Sequence, residues 1–275
     1  MIINHNLNAL NAHRNIGINN TAAGKAMEKL SSGLRINRAG DDAAGLSISE
    51  KMRAQIRGLD QGARNAQDGI SLIQTAEGGL NETHAILQRM RELAVQAAND
   101  TNQEKDREAI MTEINELVDE IDHIAKSTTF NGLNLLSNNA SLTLQIGPGI
   151  TFDSLKLNLK GFSASSTALG IGALTVGSVG SNAGAKAVIT SIDAAIEKVS
   201  TARAKLGANQ NRLEHTITNL NTMSENLTAS ESRIRDVDMA KEMMNFSKNN
   251  ILNQAAQAML AQANQQPQGV LQLLR

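Results

Sequence analysis

The histidines are the side chains of this sequence best suited to hold a metal ion or to move a proton, and their spacing favours neither role. They stand at His5, His13, His84, His123 and His215. Protein metal sites draw their ligands from short, recurring spacings, and these five residues share none. A phosphate-binding loop is equally absent from the spacing of Gly170, Gly172, Gly177 and Gly180. We therefore expect no catalytic residue, no metal and no cofactor.

Acidic residues offer a second route to chemistry, as paired carboxylates for acid–base work. The pair Asp41 and Asp42 precedes a long helical pattern, where carboxylates cap free N–H groups and complement the helix dipole. Capping explains this pair better than catalysis. Asp119, Glu120 and Asp122 are predicted to lie on the solvated face of another helix.

Composition narrows the classes of protein that remain. The 275 residues include no Cys, Trp or Tyr and only four Phe, yet 41% are hydrophobic, so Ala, Leu and Ile must build the core. A net charge of -1 and the scarcity of aromatic rings argue against nucleic acid as a partner. Without Cys, the chain needs no oxidising compartment for its fold.

Targeting signals give an expectation about localisation. The first residues lack the basic start and continuous apolar core of a secretory signal, and no apolar run approaches the ~20 residues that span a bilayer. We expect no membrane insertion. If the protein is extracellular, it leaves the cell without a cleaved signal peptide.

Two long heptad patterns dominate the chain and predict a mainly α fold, a long antiparallel helical coiled-coil bundle. The amino-side pattern contains Met52, Ile56, Leu59, Ala63, Ala66, Ile70, Ile73, Ala76, Leu80, Leu87, Met90, Ala94 and Ala97. The carboxyl-side pattern contains Ile189, Ile192, Ile196, Val199, Leu206, Leu213, Ile217, Leu220, Leu227 and Ile234. Local overwinding or a kink is expected at Gly78 and Gly79, where the first pattern stammers.

Shorter elements complete the prediction. A third helix is expected to start at Thr101 with a capping-box pattern and to fold back on the first. Between residues 131 and 181 the period changes to two, which predicts a small β-hairpin from 142–146 and 155–159, followed by loop and short extended pieces. Pro267 is expected to interrupt the last helix.

The two terminal segments carry apolar stripes that neither can bury alone. Each is about 30 residues long, below the ~40 at which an unaided core is plausible. We expect them to become ordered on assembly with other copies of the chain. The candidate assembly residues are Ile3, Leu7, Leu10, Ile251, Leu252, Ala255, Met259, Leu260, Leu273 and Leu274.

Specific motifs at both ends resemble bacterial flagellin, the subunit of the flagellar filament. At the amino end these are residues 27–37, 39–46 and 88–96, and at the carboxyl end residues 204–208, 231–236 and 270–274. The resemblance spans residues 1 to about 130 and about 186 to 275. The short centre departs from larger members of the family and indicates that only the inner and rod domains are present.

The resemblance implies a division of the chain into filament domains. The predicted pieces are an inner-domain helix at 1–32, a linker at 33–46, rod-domain helices at 47–130, the hairpin and loops of the rod tip at 131–181, a rod-domain helix at 182–235, and a linker with the second inner-domain helix at 236–275.

The resemblance also implies partners. The chain is expected to form a helical homopolymer, to cross the flagellar export apparatus unfolded with help from an export chaperone, and to contact filament cap and hook-junction proteins in the extracellular bacterial flagellum. The vertebrate Toll-like receptor for flagellin is a further implied partner, with Gln88, Arg89, Leu93 and Glu113 as contacts. The alternative for Leu93 is that it only packs inside the rod.

Two functions of other classes remain open from the residues alone. A membrane-active translocator could use the same amphipathic ends, although these are rich in Asn and Gln and poor in basic and aromatic anchors. A cytosolic coiled-coil scaffold would form discrete oligomers rather than filaments.

Overall fold

The fold is mainly helical, as predicted, with two short antiparallel strand pairs. The computed structural model describes residues 6–137, 141–149, 153–158, 163–172 and 182–273. The helices are α1 (Leu7–Ser32), α2 (Ala43–Ala97), α3 (Glu104–Ser127), α4 (Ser166–Leu169), α5 (Asn182–Arg235) and α6 (Met239–Leu273). The strands are β1 (Thr129–Phe130), β2 (Leu133–Asn134), β3 (Ser141–Gln145) and β4 (Ser154–Asn158).

The chain divides into two compact units. Unit 1 comprises Met1–Ile56 and Glu225–Arg275, and unit 2 comprises Arg57–Ser224. Unit 1 therefore takes its residues from both ends of the sequence, whereas unit 2 is continuous.

Capping residues account for where the helices begin. The Asp42 Oδ1 atom accepts a hydrogen bond from the Gly45 N–H at 2.8 Å, and α2 begins at Ala43, directly behind the acidic pair as the sequence predicted. α3 begins at Glu104, later than the predicted Thr101, because the Gln103 N–H finds its acceptor in the Asp106 carboxylate at 3.1 Å. The helical pattern locates each element, and the local side-chain acceptor decides its first residue.

The core of unit 2 follows the heptad patterns. Its fully buried large side chains include Ile73, Leu80, Leu87 and Met90 of α2, Met111, Ile114 and Ile121 of α3, and Leu206 and Leu213 of α5. The gap in the pattern between Leu80 and Leu87 is filled by buried Thr83, whose hydroxyl donates to the Gly79 carbonyl at 2.9 Å. α2 continues as a helix through Gly78 and Gly79.

Polar pairs run between α2 and α5 within unit 2. Asp60 Oδ1 lies 2.9 Å from the Ser224 hydroxyl, Glu77 lies 3.6 Å from Arg203, and Arg91 lies 2.7 Å from Asp193. Residue numbers therefore rise along α2 while those of the partners fall along α5. The two helices are therefore antiparallel, as the sequence predicted.

The β3–β4 hairpin lies against α2 where that helix carries glycine. The predicted hairpin is present, and in it Leu142 pairs with Leu157 and Leu144 with Leu155. A Cβ atom at Gly62 would stand 2.6 Å from the Ile146 carbonyl oxygen, closer than any real Cβ contact. Only glycine lets the hairpin approach this closely. Leu159, predicted to end the second strand, lies outside the described residues.

The segment after the hairpin contains a one-turn helix, α4, where the sequence predicted loop and extended pieces. The Ser166 N–H and hydroxyl donate to Asp122 of α3 at 2.7 and 2.8 Å. At the other end, Lys198 Nζ of α5 donates to the Ala168 and Leu169 carbonyls at 3.1 and 3.0 Å. The prediction that Asp122 belongs to a solvated face is therefore wrong, because this carboxylate holds the amino end of α4.

Unit 1 is built from α1, α6 and the segments that adjoin them. The Gly33 carbonyl accepts from the Val237 N–H at 3.1 Å, and the Arg35 N–H donates to the Arg235 carbonyl at 2.7 Å. Gly33 adopts the left-handed conformation, with φ of +71°, that ends α1. α6 continues through Pro267, so the predicted interruption is wrong; a proline can remain in a helix at the cost of one backbone hydrogen bond.

Candidate functional site

The terminal helices expose large apolar side chains in unit 1. Leu7 and Leu10 of α1 are each 69% exposed, and Ile251 and Met259 of α6 are 65% and 59% exposed. Leu252 and Ala255 are exposed as well, and Leu260 is half-buried. Ile3 and Leu274 lie outside the described residues, and Leu273 is the last residue of α6.

Among the described residues of α1 and α6, only small side chains are fully buried, while large ones such as Ile16 and Leu30 are half-buried. The buried residues in these helices are Ala23, Ala26 and Ala263, and Asn6 adds a hydrogen bond from its side-chain amide to the Ala263 carbonyl at 2.7 Å. Burial of a large apolar side chain contributes about 1.5–3 kcal/mol, whereas an Ala methyl contributes much less. Pairing of α1 with α6 therefore leaves most of their apolar surface unburied.

Other exposed apolar residues of unit 1 were not among the predicted assembly residues. They are Ile18, Met27, Ile48, Met239, Met243 and Met244. Ile18 follows Leu7 by eleven residues, about three helical turns, and Met244 precedes Ile251 by seven, about two turns. Extending the stripes inward from the termini at helical spacing would have found both.

The turn between α1 and α2 is held by charged side chains as well as by backbone bonds. Asp41 Oδ2 accepts from the Asn37 and Arg38 N–H groups at 3.1 and 3.0 Å, and these bonds lower the pKa of the Asp41 carboxyl below its ordinary value of 3.8. Arg38 in turn pairs with Glu28 at 2.9 Å. Both Asp41 and Asp42 thus act as acceptors for backbone N–H groups.

A second candidate surface lies on α2 and α3 in unit 2. Arg89 donates to Glu113 Oε1 at 3.0 and 3.3 Å and to Glu92 at 3.3 Å. The hydrogen bonds and negative charge of Glu113, followed by those of Glu92, raise the pKa of Arg89 above its ordinary value. Gln88 is exposed beside them, with its side-chain nitrogen 3.1 Å from His84 Nε2.

Leu93 lies in the core of unit 2 and not on the α2–α3 surface. Its side chain is 3% exposed, whereas the side chains of Gln88, Arg89 and Glu113 are exposed. The structure thus brings three of the four predicted receptor contacts to one surface and places the fourth beneath it. Val95, which was not predicted, is the exposed large apolar residue of this part of α2, at 51%.

The described part of the chain contains neither a metal site nor a membrane span. Within the described ranges, no three His, Asp or Glu side chains stand close enough together to hold a metal ion. No helix in the described part of the chain combines the length and the hydropathy needed to cross a bilayer.

The fold and the exposed apolar termini define a helical structural subunit that assembles with copies of itself. The family model described as "Bacterial flagellin N-terminal helical region" matches residues 3–141, and that described as "Bacterial flagellin C-terminal helical region" matches residues 189–274. The chain belongs to the bacterial flagellin family. It is a structural subunit of the extracellular flagellar filament and not an enzyme.

Individual relatives agree with this assignment. A flagellin of Halalkalibacterium halodurans is 62% identical over 280 residues, and one of Bacillus subtilis is 55% identical over 305 residues; all of this chain and all of each relative are covered. A solved structure of a putative flagellar hook-associated protein from Vibrio parahaemolyticus shares the fold. It has a TM-score of 0.58 at 15% identity and covers 71% of this chain and 100% of its own.

Proposed function

We propose that α1 and α6 are the elements through which this flagellin polymerises, as the inner filament domain at 1–32 and 236–275. The rod domain would then comprise residues 47–130, 131–181 and 182–235, with 33–46 as a linker. The observation that carries the proposal is the exposure of Leu7, Leu10, Ile251 and Met259, which unit 1 leaves uncovered. Head-to-tail contacts between identical subunits do not close, so they extend into a filament.

The remaining predicted residues take the same role in this proposal. Ala255 shares the face of α6 that contains Ile251, and Leu252 directly follows Ile251, whereas Leu260, nine residues after Ile251, lies on the opposite face of the helix. Ile3, Leu273 and Leu274 are assigned the same role as apolar residues of the sequence near the two termini. At about 1.5–3 kcal/mol for each large side chain buried, four such residues supply about 6–12 kcal/mol, a range that includes the ~8 kcal/mol of a micromolar dissociation constant.

Seeded elongation tests this proposal. The double substitution Leu7→Gln and Ile251→Gln should abolish growth of monomer on filament fragments, since each glutamine would be buried without partners. Leu133→Gln is the matched control, because Leu133 is 48% exposed but belongs to unit 2, and it should elongate normally. Growth of the double variant at the rate of the unchanged chain would contradict the assignment.

Deletion of residues 242–275 tests the domain division separately. Filament growth should be lost, while circular dichroism should show that the helices of unit 2 persist, because their core includes no residue beyond 224. Collapse of the unit 2 helices in this truncated chain would show that the division at 235/236 is wrong.

The export route is a second part of the proposal. A chain with so little buried apolar surface in unit 1 is easily kept unfolded there, and a chaperone that covers the exposed face of α6 would prevent premature association. The subunit would leave through the flagellar export apparatus and add beneath the filament cap, above the hook-junction proteins. Equal intact masses for the cytoplasmic and the filament form would support export without cleavage, and a shorter filament form would oppose it.

Chaperone binding can be measured directly. Calorimetry with the purified export chaperone should detect binding to the full chain and none to the chain that lacks residues 242–275. Equal binding to both would place the chaperone site elsewhere.

A second candidate function is recognition by the vertebrate Toll-like receptor for flagellin. The observation that favours it is the exposed cluster of Gln88, Arg89 and Glu113, in which two carboxylates hold the guanidinium in one position. Leu93 would contribute by supporting α2 from the core. Arg89→Ala should lower receptor signalling in reporter cells by about tenfold or more, as expected for an Arg anchor.

Arg64→Ala is the matched control for the receptor test. Arg64 is an exposed arginine of the same helix, bonded only to Gln61 in the contacts described, and its removal should leave signalling unchanged. Equal effects of the two substitutions would remove Arg89 from the receptor surface.

A further inference from the structure

We propose that Met244 and Met259 of α6 are oxidation sites that control whether this subunit can enter a filament. Conversion of the two thioethers to sulfoxides would make the subunit unable to polymerise, and reduction would restore it. The inference rests on the proposed role of α6 in assembly.

Met244 and Met259 lie on α6 at helical spacing from Ile251. Met244 precedes Ile251 by seven residues, and Met259 follows it by eight, both close to two helical turns. Ala255, four residues after Ile251, lies on the same stripe. The two thioethers therefore lie on the apolar face that contains the proposed assembly residues, one on each side of Ile251.

The side chains of Met244 and Met259 are accessible to solvent in the single subunit. Met244 is 67% exposed and Met259 is 59% exposed, whereas Met90 and Met111 in the core of unit 2 are 0% exposed. Susceptibility of methionine to oxidants follows exposure of the sulfur. An oxidant should reach these two sites, and also the exposed Met239 and Met243 of α6, while the core methionines remain unchanged.

Oxidation by a peroxide makes these two side chains polar. A peroxide transfers one oxygen atom to the sulfur: the O–O bond breaks, an S–O bond forms, the sulfur loses two electrons and the peroxide leaves as water or an alcohol. The product is a polar, chiral side chain in place of a flexible apolar one. A sulfoxide oxygen that becomes buried without a donor opposes association, so the oxidised face no longer suits the apolar contact.

The experiment compares seeded elongation of the full-length monomer before and after treatment with hydrogen peroxide, with peptide mass mapping of every methionine. Treated wild type should carry one added oxygen at Met244 and Met259 and none at Met90 and Met111. Its elongation should slow by about tenfold or more, because buried polar groups without partners are strongly disfavoured. Methionine sulfoxide reductase with a thiol reductant should restore the original rate.

Two variants assign the effect to the α6 sites. The double substitution Met244→Leu and Met259→Leu should elongate normally and keep its rate after peroxide. Met223→Leu is the matched control: Met223 is 46% exposed but belongs to unit 2, and this variant should be inactivated like wild type. Inactivation of the double variant by peroxide would overturn the inference, as would normal elongation of wild type oxidised at both sites.

The outcome also separates this inference from the proposal on which it depends. If α1 and α6 are not the assembly elements, the untreated Leu7→Gln and Ile251→Gln chain elongates normally. If only the oxidation inference is wrong, that chain fails to elongate while oxidised wild type grows at the untreated rate.

Discussion

Two glycines of α2 should respond in opposite directions to the same substitution. Gly78 is exposed, and a Cβ atom built there meets nothing within 4 Å. Gly62 is buried beneath the β3–β4 hairpin, and a Cβ atom there would lie 2.6 Å from the Ile146 carbonyl oxygen and 2.7 Å from its carbon. Both lie in the interior of one helix, so the difference between them isolates the contact with the hairpin.

The expected magnitudes follow from these distances. Gly78→Ala should stabilise the chain by about 1 kcal/mol, the difference in helix propensity. Gly62→Ala gains the same ~1 kcal/mol of helix propensity. The hairpin backbone must, however, move away by about 0.8 Å, so that the distance from the new Cβ atom to the Ile146 carbonyl oxygen rises from 2.6 Å to the 3.4 Å at which ordinary contact begins. That movement would stretch the 2.7 Å bond from the Asn65 amide to the Gln145 carbonyl to about 3.5 Å, the limit of a hydrogen bond.

The net effect at Gly62 is destabilisation by about 1–3 kcal/mol. Overpacking costs about 1–3 kcal/mol and a lost hydrogen bond about 1 kcal/mol, offset by the ~1 kcal/mol of helix propensity. Urea unfolding of the full-length monomer, followed by circular dichroism, would measure both variants. A Gly62→Ala chain as stable as Gly78→Ala would refute the account of how the hairpin is seated.

Three further perturbations test separate contacts. Asp122→Ala should destabilise unit 2 by about 1–2 kcal/mol in the same urea assay, as loss of a helix cap does, and should raise hydrogen exchange in residues 163–172. Asp119→Ala, on the exposed face of α3, is the control and should change neither the stability nor the exchange. Lys198→Met removes the donor at the other end of α4 and should raise hydrogen exchange there, which an unchanged exchange rate would contradict. The folded-state pKa of Asp41 lies below 3.8, so the turn at residues 37–41 should keep its full stabilisation above that pH and lose it as the pH falls through the lowered pKa. Nuclear magnetic resonance of the Asn37 and Arg38 amides, which donate to Asp41, should show this loss in the native chain. The Asp41→Asn chain should show no such titration.

The helical core was predictable because burial repeats with the helix. Every α2 heptad residue from Ala66 to Ala97 that the pattern selected is buried. The same arithmetic could have placed Leu93 correctly: it stands three residues after Met90 and four before Ala97, both fully buried, and so shares their face. A motif taken from a family names residues without saying which face each one occupies.

The contacts of α4 could not have been predicted from local patterns. Asp122 and Ser166 are separated by 44 residues, and Lys198 reaches α4 from 29 residues away. A hydrogen bond between distant side chains leaves no period in the sequence, since any acid on α3 looks equally solvated until the loop that contacts it is positioned. The start of α3 was missed by three residues for a similar reason, because neighbouring Thr, Asn and Gln side chains compete to cap it.

Unit 1 draws α1 from one end of the chain and α6 from the other. During translation, α1 emerges from the ribosome first and must wait for almost the entire remainder of the polypeptide before its partner exists. The continuous unit 2, by contrast, has all of its residues available earlier. Synthesis therefore delays completion of unit 1 until α6 has been translated, which limits the time in which incomplete chains could associate through their exposed apolar residues.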